Sequence, residues 1–314
     1  MLNYLKRYQG VFYPVTGIAA VFVILFFLAG IVGLDQANLP RPPLNTLKEY
    51  PAGTSLEEMV LLAEAGMWWL LLSFFFWLVG LFAVGFCWYQ FHGATKHLAT
   101  RRVALHVMIL FTVVALVGIL AYLSEVKNIP LMSFEFIVRN LGLVSNGAVN
   151  LTKYNTGLGI VVVAILLLIA SLMLLPGVYN NDVTRQMRAI TLIMYCGAAF
   201  LLVWVATSTE MYRFGAMLLV AEEREHVLKL APTISLMAGA FSSLLLAAAY
   251  ISSYLWLQKS FNRLQLIEDA GHKPAKGASP KDFLLAHWPK VTALLMPVLP
   301  GAIGTVMNLF AQPV

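Results

Sequence analysis

The sequence predicts an all-α membrane protein: a six-helix transmembrane bundle of three consecutive hairpins, followed by a C-terminal interfacial or re-entrant helix. Three observations predict it. Of the 314 residues 60% are hydrophobic and only 11% are charged, with mean hydropathy +0.79, too little polar material to cover a water-facing surface. The apolar residues gather into continuous runs of about 20 or more, enough for a helix to cross roughly 30 Å of hydrocarbon, whereas barrel strands alternate over about ten residues. The basic residues collect on one side of these runs.

The first predicted span covers residues 12–34. It follows the short basic start MLNYLKRYQG and is about twice as long as a signal-peptide core, so it is expected to remain in the membrane. Pro40, Pro42, Pro43 and Pro51 follow; proline lacks an amide donor and fixes φ, so this stretch is expected to run extended over the outer surface.

The second span, 60–91, has an explicit start, because Ser55-Leu56-Glu57-Glu58 matches a capping box ahead of an apolar run. From Leu56 to Phe91 the helix would measure roughly 54 Å, so it must protrude from the bilayer, with Glu57 and Glu64 on one face of the protrusion. The remaining spans are expected at 103–123, 156–176, 188–209 and 232–257. Long segments at 35–59, 124–155 and 210–231 alternate with short basic ones at 92–102 and 177–187, which is the pattern of helical hairpins. Within the second long segment, Phe134, Phe136 and Val138 alternate as in a short strand or a membrane-hugging loop.

Domain organisation follows: a six-span domain over 1–257, a cytoplasmic linker over 258–278, and a C-terminal helical segment over 279–314. Ser279 as N-cap and Pro280 at the first helical position open the last segment. Val291 to Phe310 is long enough to cross, but Pro297 and Pro300 interrupt it, and Gly301, Gly304, Thr305, Asn308 and Gln312 make a polar stripe. An interfacial or re-entrant helix is therefore expected, with a seventh span as the alternative.

Charge orients the bundle. The short-loop and terminal side holds 13 of the 21 basic residues against four acidic ones, and the long-loop side eight against 11. The first side is expected to face the cytoplasm of a bacterial inner (plasma) membrane, with the N-terminus inside. The pI near 9.3 is thereby explained without nucleic acid.

No lysine, arginine or carboxylate is evident in mid-span, where proton-coupled transporters place them. Glu64, Glu125 and Glu210 each stand at the outer end of a different span and would form an acidic vestibule if those ends converge. Glu222 and Glu223 precede His226 at E-x-x-x-H and E-x-x-H spacing, one half of a carboxylate-bridged metal site, although ordinary i,i+4 pairing such as Glu225 with Lys229 accounts for the same residues. His92, His97 and His106 cluster loosely about a basic loop and read as interfacial before they read as haem or metal ligands.

The sixth span carries Gly239, Ser243 and Ala247 every four residues, with Ser235, Ser242, Ser252 and Ser253, a pattern for close helix packing more than for a pore. Trp68, Trp69, Trp88, Tyr89, Tyr254 and Trp256 mark the interfaces, and Cys87 and Cys196 sit in apolar runs as packing residues. Asn150-Leu151-Thr152 fits a glycosylation acceptor. No P-loop, dinucleotide fingerprint, zinc-protease or nucleophile-elbow motif is present, and no cofactor is specified.

These features favour a non-catalytic membrane subunit that meets a protein partner, or further copies of itself, through acidic outer loops. An ion channel or uncoupled solute carrier, and a membrane metalloprotein or oxidoreductase, are the alternatives.

Overall fold

The structure, a computed structural model, describes residues 56–96, 146–175, 178–218, 221–268 and 289–310. The predicted spans 12–34 and 103–123, the proline-rich stretch, the Phe134–Val138 alternation and the Ser279-Pro280 helix start lie outside the described residues. Among the described residues all regular structure is helical: α1 (Leu56–Thr95), α2 (Asn146–Leu172), α3 (Val183–Ala216), α4 (Ala221–Glu268) and α5 (Leu299–Phe310), with 3-10 turns at Val178–Asn181 and Met296–Val298. Among the described residues, four helices are long and apolar enough to cross a membrane, over Val60–Thr95, Gly147–Leu172, Val183–Ala216 and Val227–Lys259. The chain is thus a helical, multi-pass membrane protein.

Helix lengths depart from the predicted spans for one physical reason. Loss of hydrophobicity marks where a helix leaves lipid, not where it ends, because Glu, Arg and Lys are themselves good helix formers. The outer segment expected over 210–231 is accordingly not a loop. α3 continues to Ala216 and α4 begins at Ala221. Ion pairs along the extensions support them, Glu210 with Arg213 at 2.9 Å and Glu225 with Lys229 at 2.7 Å. Likewise α2 starts at Asn146 rather than near 156, taking in Thr152 and Asn155, both buried.

Contacts between helices set their directions. Asn155 of α2 meets Ser73 and Trp77 of α1, while Gly80 faces Leu158 and Val162, so α1 and α2 run parallel. α3 is antiparallel to both: along α1, Gly66 faces Phe214 and Gly80 faces Phe200, and on α2, Gly159 faces Trp204 and Leu166 reaches Gly197. α4 is antiparallel to α3, with Thr209 bonded to Ser235 and Thr191 to Tyr250. One end of the bundle therefore gathers the starts of α1, α2 and α4 with the end of α3; the other gathers Thr95, the 178–181 turn, Val183 and Lys259.

The C-terminal segment does not lie across the bundle end, as an interfacial helix would. It packs lengthwise and antiparallel on α4: Gly239 abuts Pro297 and Val298, Gly301 abuts Ser235 and Leu236, and Gly304 abuts Pro232. The small residues read as a polar stripe are a packing seam, since a Cβ at Gly239 would stand 2.8 Å from the Val298 Cα.

Where α1, α2 and α3 meet, Phe76, Phe200 and Val162 have no exposed surface, and the Phe76 and Phe200 rings lie 5.1 Å apart. Gly159 makes room for the Trp204 indole, which a Cβ would approach to 2.5 Å.

Candidate functional site

Polar side chains at membrane depth join helices to one another. Asn155, 6% exposed, accepts from Trp77 Nε1 at 2.8 Å and donates from Nδ2 to Ser73 Oγ at 2.9 Å. Thr207 Oγ1 donates to its own helix at Val203 O, 2.8 Å, and stands 3.2 Å from Leu72 O of α1. Thr209 Oγ1 donates to Ser235 Oγ at 2.7 Å. In hydrocarbon an unmatched polar group is costly, so these residues are tolerated because they find partners. The serines of α4 behave similarly: Ser252 and Ser253 bond back to Ala248 and Ala249 carbonyls. Ser171, Ser243 and the Trp69 indole are buried polar groups without a partner among the described residues.

At the end holding the starts of α1 and α2, Trp69 stacks on Phe214 with centroids 5.5 Å apart. Beside them an apolar crevice of about 280 Å³ is lined by Gly66, Leu70, Gly147, Ala148 and Leu151 as well. At the opposite end the turn between α2 and α3 is locked from several sides. Tyr179 and Asn180 adopt left-handed backbone, φ 47° and 58°, a conformation that costs non-glycine residues roughly 1–2 kcal/mol each. Compensation comes from Tyr179 OH donating to Gln90 Oε1 at 3.0 Å and from the Arg185 guanidinium 4.5 Å over the Tyr179 ring. Asp182 caps α3 by accepting from Arg185 N–H at 3.0 Å, and buried Gln186 reaches the Leu175 and Val178 carbonyls at 3.4 Å. Burial pushes the Tyr179 phenol above its ordinary value, against the lowering influence of Arg185.

Glu64 and Glu210 lie toward the same end of the bundle, Glu64 exposed on α1 and Glu210 half-buried on α3 with its carboxylate held by Arg213. Glu125, the third residue of the expected vestibule, lies outside the described residues. Glu222, Glu223 and His226 fall in the first turns of α4, on the helix expected for them, but their side chains are not among those described. His92 is exposed near the end of α1, and His97 and His106 are outside the described residues. Among the described residues no group of three metal-ligating side chains is gathered.

In the glycosylation triplet the acceptor Asn150 is exposed. Thr152 is 1% exposed and donates to Ala148 O, so the triplet lies on helix α2 and not in a loop. Sequence reasoning missed Asn155, Tyr179 and Gln186. Thr152, Asn155 and Gly159 at i, i+3 and i+7 were the available signal for Asn155, since that phase continues upstream from the apolar run. No signal existed for Tyr179, because its turn is set by contacts distant in sequence.

No protein family, curated protein or solved structure matches this chain.

Proposed function

We propose that the chain is a non-catalytic integral membrane subunit that packs within a larger assembly in a bacterial inner membrane, its N-terminus cytoplasmic. The observation that carries this reading is the filled junction of α1, α2 and α3, where Phe76, Phe200 and Val162 leave no exposed surface and the nearby polar groups are spent on interhelix bonds. Such an interior suits a rigid scaffold. A water path would instead need polar groups turned to a lumen. Phe74, Phe75, Leu78 and Phe82 are exposed along α1, a broad apolar face of the kind that meets lipid or another helix.

Helix directions support a crossing count beyond four. Parallel neighbours cannot be joined by a turn. Asn155 at the level of Ser73 and Trp77 puts Asn146 beside Gly66, about 40 Å from Thr95 by helix rise. The apolar run 103–123 in the intervening sequence is long enough for a further crossing. With 12–34 preceding α1, this makes six spans. The lengthwise packing of residues 289–310 on α4 favours a seventh, with the C-terminus outside. Lys96, Arg185, Arg188, Lys259 and Lys290 share one end of the described bundle, which favours that end as cytoplasmic.

Extraction in mild detergent tests the assembly. A stoichiometric partner or a homo-oligomer should survive affinity purification and size-exclusion chromatography with light scattering. A monodisperse monomer, with no cross-linked partner in intact membranes, defeats the reading.

A further inference from the structure

The apolar crevice where α1, α2 and the end of α3 meet is a cavity that a rigid scaffold does not need. Its space of about 280 Å³ exists because Gly66 of α1 and Gly147 and Ala148 of α2 carry little or no side chain, so two parallel helices approach without filling the gap between them. The Trp69 and Phe214 rings, stacked on each other, wall it on the inner side. Leu70 also lines it and is 55% exposed, and Gly147 is exposed too, so the mouth lies on the outside of the bundle. Charges fix its depth. Glu64 is exposed two residues before Gly66, and the Glu210–Arg213 pair adjoins Phe214. These residues mark where α1 and α3 leave hydrocarbon, and the crevice opens onto the apolar layer just inside them.

The lining decides what can occupy such a space. A water molecule needs two to four polar partners, and the lining side chains offer one polar group, the Trp69 indole N–H, which is itself buried. Water is therefore a poor filler. A partner helix is about 10–12 Å across with its side chains and is too broad to enter. An apolar cavity of about 150 Å³ takes a benzene ring, so this crevice has room for a slender chain on the order of ten methylenes. Such a chain needs no hydrogen-bond partner, and its dispersion contacts with Leu70, Leu151 and the two rings replace those an empty hole forfeits. At this depth the surrounding medium is itself made of such chains. No charged side chain lines the crevice, so nothing in it reads a headgroup. We infer that the crevice holds a length of acyl chain from a membrane phospholipid, selected by shape and apolarity and not by headgroup charge.

The inference needs the bundle to sit in a bilayer, but neither a particular sidedness nor a partner. A monomer would sink the assembly reading and leave this one standing. The test uses the full chain in phosphatidylcholine bilayers doped with the same lipid bearing a photoactivatable diazirine on its acyl chain, and maps the labelled residues by mass spectrometry. Label should gather on Leu70 and Leu151 and resist a chase with unlabelled lipid. Met237, exposed on α4 two residues past the Ser235 that meets Thr209, lies within about two turns of the same depth and should lose its label in the chase. Phosphatidylglycerol with the same chains should label equally. Ala148→Leu fills the crevice and should cut label on Leu70 and Leu151 at least about threefold while leaving Met237 unchanged. If that variant does not fold, Leu70→Trp narrows the mouth from an exposed position and should cut label on Leu151 by a similar factor. A benzophenone side chain placed at Leu70 in intact membranes should capture lipid. The inference is overturned if label on Leu70 and Leu151 chases as fast as label on Met237, or if phosphatidylglycerol labels where phosphatidylcholine does not. It is overturned equally if the filling variant labels like the parent, or if the benzophenone captures a polypeptide, which would give the crevice to a partner's side chain.

Discussion

The indole N–H of Trp77 donates to the side-chain carbonyl of Asn155 at 2.8 Å, a bond between two parallel helices whose residues lie 78 apart in sequence. The same amide donates to Ser73, so one buried side chain links two residues a turn apart on α1. Asn155→Leu keeps the volume but leaves both partners unmatched. It should destabilise the bundle by about 1–2 kcal/mol, measured by reversible unfolding in mixed micelles, and Ser73→Ala combined with Asn155→Ala should cost less than the two single changes added. Additive effects would mean that the bond contributes nothing.

Glycines on the α4 seam differ from glycines elsewhere. Gly301→Ala pushes a methyl into the Leu236 backbone and should cost about 1–3 kcal/mol, with faster proteolysis of residues 289–310. Gly85→Ala, where nothing lies within 4 Å, should be neutral or stabilise by up to about 1 kcal/mol through helix propensity. Equal effects at both sites would show that the seam does not hold the segment.

Sidedness is open to direct labelling. In a background with Cys87 and Cys196 replaced by alanine, an impermeant maleimide applied to intact cells should reach Glu225→Cys and a cysteine appended after Val314. It should not reach Thr184→Cys until the membrane is opened. Labelling of Thr184→Cys from outside would invert the orientation. Protection of the appended cysteine would return the C-terminus to the inner side.

Tyr179 should ionise late. Its phenol is held above the ordinary value by burial, and the neutral form is the one that donates to Gln90. A folded-state pKa above the unfolded one means the contribution is complete below the unfolded value and fades as pH rises through the folded value, so the loss falls in the alkaline range beyond about pH 10. The tyrosinate difference spectrum between the parent and Tyr179→Phe should place this step above that of free tyrosine. At neutral pH the variant should lose about 0.5–1.5 kcal/mol. A step at or below the ordinary value contradicts the packing of this turn.

Legibility from sequence differs by feature. The spans at 60–91, 188–209 and 232–257 fall inside α1, α3 and α4, and 156–176 overlaps α2 but runs past its end at Leu172, because hydrocarbon demands long apolar helices and composition alone exposes them. The Glu225–Lys229 pair forms as its spacing implied, while Ser55 of the expected capping box lies outside the described residues. Gly239 was legible as a packing position, but the sequence did not say that its neighbour is Pro297. The segment 210–231 was read as a connection between spans, with a helix only about Glu222–His226; Glu210 and Arg213 in fact continue α3 to Ala216.

Composition and hydropathy alone determine that this chain lives in lipid as long helices, since transfer free energy depends on what each residue is and not on what it touches. Only the tertiary structure decides that α1 and α2 run parallel, that Asn155 clamps them, and that residues 289–310 lie along α4. Those outcomes depend on close approach of backbones and on matching buried donors to acceptors across gaps of tens of residues, a fit in three dimensions that no local pattern encodes.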